Sequence, residues 1–250
     1  MPDISTLLLL AAVFLCISYC SASVGLGGGS CYTALLAVSG VAPLAIPLIS
    51  LSLNLIVTSA GSYQFIRHRH ASWKIITPFL VTSMPMAYLG GSLHLPKGVF
   101  YGILFASLTI VVIRIFFYQK TSLSWNLKGW QKLALSLIAG ALLGFIAGVV
   151  GIGGGIYLVP FILIVGLGTE KQAAASGAIF IWLNSITGLI ARLHHHSVSL
   201  LDYYPLMIAV AVGGMLGAAL GATSLKPRTM QKILGTTIII ALCLLTQKLV

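Results

Sequence analysis

Apolar residues fill this chain in long runs, and polar residues collect in the short stretches between them. The runs Ile4–Ser23, Pro43–Phe65, Ile75–Leu93, Val99–Tyr118, Leu133–Val150, Ala173–Ala191, Tyr203–Leu225 and Met230–Leu249 approach the roughly 20 residues an α-helix needs to cross a bilayer. Two further runs, Ser30–Val38 and Ile156–Val165, reach only half that length, and each follows a glycine cluster: Gly25-Leu26-Gly27-Gly28-Gly29 and Gly151-Ile152-Gly153-Gly154-Gly155. Glycine weakens a helix interior by about 1 kcal/mol relative to alanine, so glycine in four of five positions breaks it. A break frees N–H and C=O groups, which hydrocarbon tolerates only inside protein or beside a water-filled cavity. The pattern predicts an all-α, polytopic membrane protein of about eight transmembrane helices, with a glycine-broken or re-entrant half-helix in each half.

The second half repeats the plan of the first. Gly25–Gly29 fall on Gly151–Gly155, Asn54 on Asn184, Pro78 on Pro205, Gly90 on Gly217 and Pro96 on Pro227. One transmembrane domain over 1–250 follows, with repeat one at 1–120, a connector at 121–132 and repeat two at 133–250. The connector carries Trp125, Lys128, Trp130 and Lys132, the mixture of a membrane interface. A ten-residue helix covers only about 15 Å, half the bilayer core. That favours re-entrance, hence eight spans, parallel halves and both termini on the cytoplasmic side; five crossings per half would instead give ten segments and inverted halves. Ser21-Ala22-Ser23 resembles a signal-peptidase site, but Met1-Pro2-Asp3 lacks a positive leader and cleavage would remove half of the first repeat.

Composition sharpens this picture. Of 250 residues, 58% are hydrophobic and 7% charged, against roughly 25% charged in soluble domains. The net charge of +11 would point to nucleic acid in a soluble protein. Here the basic residues lie between apolar runs, so they read as topology and lipid-headgroup contacts, with the bilayer and not nucleic acid as partner. The three acids, Asp3, Glu170 and Asp202, all sit at segment ends. That argues against a cation path lined by carboxylates, a carboxylate proton relay and two-carboxylate hydrolysis. No Gly-x-Ser-x-Gly elbow occurs, and an enzyme is not expected.

The glycine clusters carry the candidate chemistry. A half-helix starting at Ser30 or Ile156 aims its free N–H groups and positive dipole end back at the loop, and two such ends meeting at mid-membrane form an anion site. No Lys-Ser/Thr follows either cluster, so a P-loop fits poorly. The candidate substrate-binding residues are Gly25, Gly27, Gly28, Gly29 and Ser30 in the first half and Gly151, Gly153, Gly154 and Gly155 in the second. Asn54, Ser176 and Asn184, polar within apolar runs, are added as uncharged hydrogen-bonding groups. Arg67 and Arg192 end comparable runs and suit an electropositive vestibule. Arg114, near the end of its run, snorkels to the boundary. The histidines His194–His196 are adjacent and point in different directions on a helix, so they read as boundary residues; neither a metal nor a cofactor is expected. Cys16, Cys20, Cys31 and Cys243 read as buried small hydrophobes, although Cys20 and Cys31 flank the first glycine cluster and leave open a soft-ligand role. The glycine stripes Gly140/Gly144/Gly148 and Gly213/Gly217/Gly221 allow close helix contact, within the chain or across a homodimer seam.

Gly151-Ile152-Gly153-Gly154-Gly155 with Pro160, then Ala173-Ala174-Ala175-Ser176 and Asn184 with Gly188, resemble the TauE/SafE sulfite-exporter family over nearly the whole chain. The resemblance implies an inner-membrane, multi-pass exporter of a small sulfur-containing anion, such as sulfite or sulfoacetate. The first half departs from the pattern: Ala34 stands where the second half has Pro160, and Ile46 opposite Ser176. Two other classes fit the same residues: a channel-like anion pore, and a membrane sulfur-trafficking protein acting through Cys20 or Cys31.

Overall fold

The computed structural model describes residues 4–23, 26–117, 128–195 and 203–221, with short helical pieces at 235–236, 238–240, 242–243 and 246. Side chains at 4–7, 114, 115, 117, 195 and 219–221 lie outside the description, as do residues 118–127, 196–202 and 222–234. The environment of Arg114, most of the connector, His196, and the Lys226–Arg228 turn fall there.

Every described element is helical: α1 Ile4–Ser23, α2 Gly29–Val38, α3 Ala45–Arg67, α4 Trp73–Ser92, α5 Lys97–Phe117, α6 Gly129–Val150, α7 Gly155–Ile164, α8 Glu170–His195 and α9 Tyr204–Gly221. The glycine clusters break the helices where the sequence places the breaks, and α2 and α7 are ten residues each. Among the described residues, α3, α6 and α8 are long and apolar enough to cross a membrane.

Helices α3 and α8 form the centre. The first helix of each half packs mainly on the fourth helix of the other: α1 on α9, and α6 on α4. Glycines make both seams close. Gly140, Gly144 and Gly148 lie against the α4 backbone at Phe79, Ser83 and Ala87, and Gly213 and Gly217 against the α1 backbone at Leu15 and Tyr19. A side chain at any of these would collide with main chain, so both stripes are used inside the molecule.

The same contacts fix helix directions. Residue numbers rise together along α6 and α4, so these helices are parallel. Asn184 bonds Ser83 at 3.0 Å and Gly91 lies against Gly188 and Ala191, so α8 is parallel to α4 as well. Across the centre the order reverses: the Trp182 Nε1–H donates to Ser59 Oγ at 3.0 Å, while Gly188 meets Leu51. Helices α3 and α8 are therefore antiparallel. Because α6 and α8 run the same way, residues 151–169 return the chain between them. The equivalent third helices thus point in opposite directions, which departs from the parallel halves expected from the short α2 and α7. A ten-residue helix covers about 15 Å, and the residues on both sides of it supply the rest of the return.

Candidate functional site

The two loops meet between the midpoints of α3 and α8. Each half-helix begins from a glycine in the left-handed region, Gly28 at φ 81° and Gly154 at φ 73°, with no side chain capping it. Glycine is the residue that adopts this conformation without strain. The unsatisfied first-turn N–H groups of α2 and α7 are thus left to the loops and to whatever enters between them.

Asn54, on α3, is wedged among the loops. A β-carbon at Gly27 would lie 2.7 Å from Asn54 Oδ1, one at Gly153 3.1 Å from Nδ2, and one at Gly29 would overlap the same amide. Asn54 Nδ2 donates to the Gly151 carbonyl at 3.3 Å. One turn earlier, the Ser50 hydroxyl lies 2.9 Å from the Gly151 carbonyl and 3.3 Å from that of Gly29. Ser50 and Asn54 are fully buried, and together they tie the first loop to the second.

A small cleft opens at this junction, lined by Ser21, Leu26–Cys31, Ile152, Ile156 and Ile181. It contains the loop backbone, the hydroxyls of Ser21 and Ser30 and the Cys31 thiol, and no charged side chain. The buried Ser21 hydroxyl and Asn54 Oδ1 have no hydrogen-bond partner among the described residues. Such groups cost about 1–3 kcal/mol each when left unsatisfied, so a polar guest that completes them is favoured.

The structure brings together Gly27, Gly28, Gly29, Ser30, Asn54, Gly151 and Gly153. Gly154 and Gly155 support the loop from behind, against Phe180 and Ile181. Gly25 lies outside the described residues. Asn184 bonds Ser83 Oγ and the Phe180 carbonyl, on the α4–α8 seam. Ser176 is buried on α8 beside Gly177, which faces α7 through Val159. Arg67 is exposed at the end of α3. Arg192 is buried and donates through one terminal nitrogen to the Gly148 and Val149 carbonyls, at 2.8 and 2.7 Å. It closes the end of α6 rather than standing open to solvent, and the carbonyl end of a helix dipole favours a cation there.

Sequence reasoning missed Ser50, Ser21 and Ile181. Ser50 had a readable signal, lying four residues before Asn54 and so on its helical face. Ser21 precedes the first glycine cluster by one turn. Ile181 carried no chemical mark at all.

Comparison with known proteins points to membrane transporters. The chain is 36% identical over 235 residues to a protein of Sinorhizobium fredii described as a probable membrane transporter protein, y4hK, covering 93% of this chain and 95% of that one. It is also 32% identical over 100 residues to YunE of Bacillus subtilis, described in the same words, over 40% of this chain and 36% of the relative. No solved structure matches. The family model described as sulfite exporter TauE/SafE matches residues 10–245, and the chain belongs to that family of membrane proteins.

Proposed function

We propose that this protein exports a small sulfur-containing anion, sulfite or an organosulfonate such as sulfoacetate, across the inner membrane. The anion binds near mid-membrane, held by backbone N–H groups of the glycine loops and the N-terminus of α2. The observation that carries this reading is the cleft at the uncapped start of α2, walled by Gly27, Gly28, Gly29 and Ser30. Its donors belong to a helix terminus that favours negative charge, and no acid among the cleft residues opposes it. The absence of a fixed positive side chain there suits a carrier, which must release its cargo.

In this reading the chain forms two inverted repeats around α3 and α8, each with one half-length helix that completes a return crossing. Inverted repeats with broken helices at the midplane are a recurrent transporter plan. Export needs no buried carboxylate: a negative interior expels a monovalent anion with about 2.3 kcal/mol per 100 mV. Counterflow of labelled sulfite, sulfoacetate, thiosulfate and sulfate in proteoliposomes tests the proposal. Uptake of at least one sulfur anion, driven by an imposed potential, supports it. Flux driven by a pH gradient and indifferent to potential would overturn the uncoupled mechanism.

One observation favours a second reading. Cys31 lines the cleft, so a protein passing a thiol-bound sulfur group would use this position. Replacement by serine separates the two, since backbone binding survives it.

A further inference from the structure

Resting on that reading, we infer that the cleft selects anions whose oxygens lie on one side. The oxygens face the first repeat, a non-oxygen group faces the second, and Ile152, Ile156 and Ile181 reject sulfate because hydrocarbon leaves its remaining oxygen without a donor.

The two repeats contribute unlike chemistry to the walls. From the first come the backbone of Gly27–Gly29 and the side chains of Ser21, Ser30 and Cys31, with Leu26 beside them. The side chains that the second contributes are those of Ile152, Ile156 and Ile181, each buried. The walls face each other at the first loop. A β-carbon at Gly27 would lie 3.1 Å from Ile181 Cγ2, and one at Gly29 2.6 Å from the Ile152 carbonyl oxygen.

Donors sit on the first wall. The Cys31 N–H is taken by the Gly28 carbonyl at 3.0 Å, which leaves the Gly29 and Ser30 N–H groups at the uncapped start of α2. The Ser21 hydroxyl, fully buried and unpartnered among the described residues, adds a side-chain donor from α1. On the second wall the Ile152 carbonyl can only accept, and the isoleucine side chains neither accept nor donate. An ionised oxygen pressed there loses its water and gains no hydrogen bond.

Anion shape decides which guest suits both walls. Sulfite carries its oxygens on one side of sulfur and a lone pair on the other; an organosulfonate carries carbon in that place. Sulfate carries oxygen on every side. One rule therefore admits both cargo types of the exporter reading and excludes sulfate.

The experiment uses a pair matched in charge. Thiosulfate and sulfate are both dianions at neutral pH, and differ in whether sulfur or oxygen fills the last position. Uptake of each, radiolabelled, is measured in proteoliposomes under one imposed potential, with protein-free vesicles as background. We expect thiosulfate to exceed sulfate by about tenfold or more, since an apolar pocket discriminates by up to about a hundredfold against one added polar group. Methanesulfonate should compete with thiosulfate. Thiosulfate is also less strongly hydrated than sulfate, so the ratio is read again in Ile156→Thr and Ile181→Thr, which place a hydroxyl on the second wall. Each should narrow it by about threefold or more, the worth of one hydrogen bond. Two variants are made because Ile181 also packs on Gly153 and Gly155, and a ratio cancels any loss of folded protein. Ser21→Ala should raise the half-saturating concentration of both anions by about tenfold and leave the ratio as it was. Sulfate carried within about tenfold of thiosulfate would mean that first-turn N–H groups of α7 serve its remaining oxygen, and overturns the inference while the exporter stands. So does a ratio that both threonine variants leave unchanged, which assigns the preference to hydration alone. Absence of flux for every sulfur anion, sulfite included, overturns the exporter and this inference with it.

Discussion

Around the first glycine loop, Leu26–Cys31 wall a cleft, and a β-carbon at Gly28 would sit 2.9 Å from both the Ser21 and Tyr32 hydroxyl oxygens. Around the second, Gly154 rests on the Phe180 ring, and Gly155 on Ile181 and the Gly177 carbonyl. Both loops have the same glycine spacing, both start an uncapped half-helix and both touch Asn54 and Ser50, yet the start of α2 adjoins two hydroxyls and the start of α7 packs on apolar side chains. Glycine in the first keeps backbone open to a guest. In the second it lets α7 press against α8 and hold the junction in shape. Similar motifs can thus divide binding and support between them.

The sharpest way to break this comparison is to fill each loop. Gly29→Leu should reduce flux by more than about a hundredfold, because even its β-carbon meets the Asn54 amide and the Ile152 carbonyl; binding geometry is lost when positioning groups shift by about 1 Å. Counterflow measured on vesicles with matched protein content checks it. Equal loss of flux and of folded yield would show the first loop to be structural like the second. Arg192→Leu should destabilise the protein by about 1.5–3 kcal/mol, the range for hydrogen bonds from a charged donor, because the Gly148 and Val149 carbonyls lose that donor. Arg192→Lys should recover part of it, read as thermal midpoint in detergent.

Gly154→Ala is expected to cost about 1–2 kcal/mol from its left-handed backbone, with further crowding at Phe180, and to spare residual flux in the folded fraction. Ser50→Ala should cost about 1 kcal/mol and loosen the tie between loops, visible as faster amide exchange at Gly29–Tyr32 and Ile152–Gly155. The smallest effect is assigned to Cys31→Ser: flux within about threefold of the parent, under 1 kcal/mol. A complete loss there would move the chemistry from backbone to thiol.

Much of the scaffold was readable from residue order because lipid enforces simple rules. Among the described residues, long apolar runs became helices, and glycine clusters became breaks with half-helices after them. Asn54 was legible too, since an amide buried in an apolar span needs partners. Its counterpart Asn184 reads identically, yet its amide bonds the Phe180 carbonyl one turn back and Ser83 on α4. Which face of α8 turns to which neighbour is a tertiary fact, invisible in a run that is apolar almost all round. Helix direction was hidden for a related reason: the length of α2 or α7 alone does not say whether the residues around it complete a crossing. Arg192 shows the limit most plainly. A basic residue ending an apolar run looks like a boundary marker, and only the approach of α6 turns it inward.

The exchange of partners between halves, α1 with α9 and α6 with α4, also constrains biogenesis. Translation proceeds at about 5–20 residues per second, so α1 enters the membrane roughly 10–40 s before α9 exists to cover its glycine-facing side. During that interval the nascent chain presents an unmatched surface to lipid, the insertion machinery or another newborn copy. The last third of the polypeptide therefore completes the assembly of the first helix, and a ribosome that stops before it leaves an amino-terminal fragment without its proper neighbour.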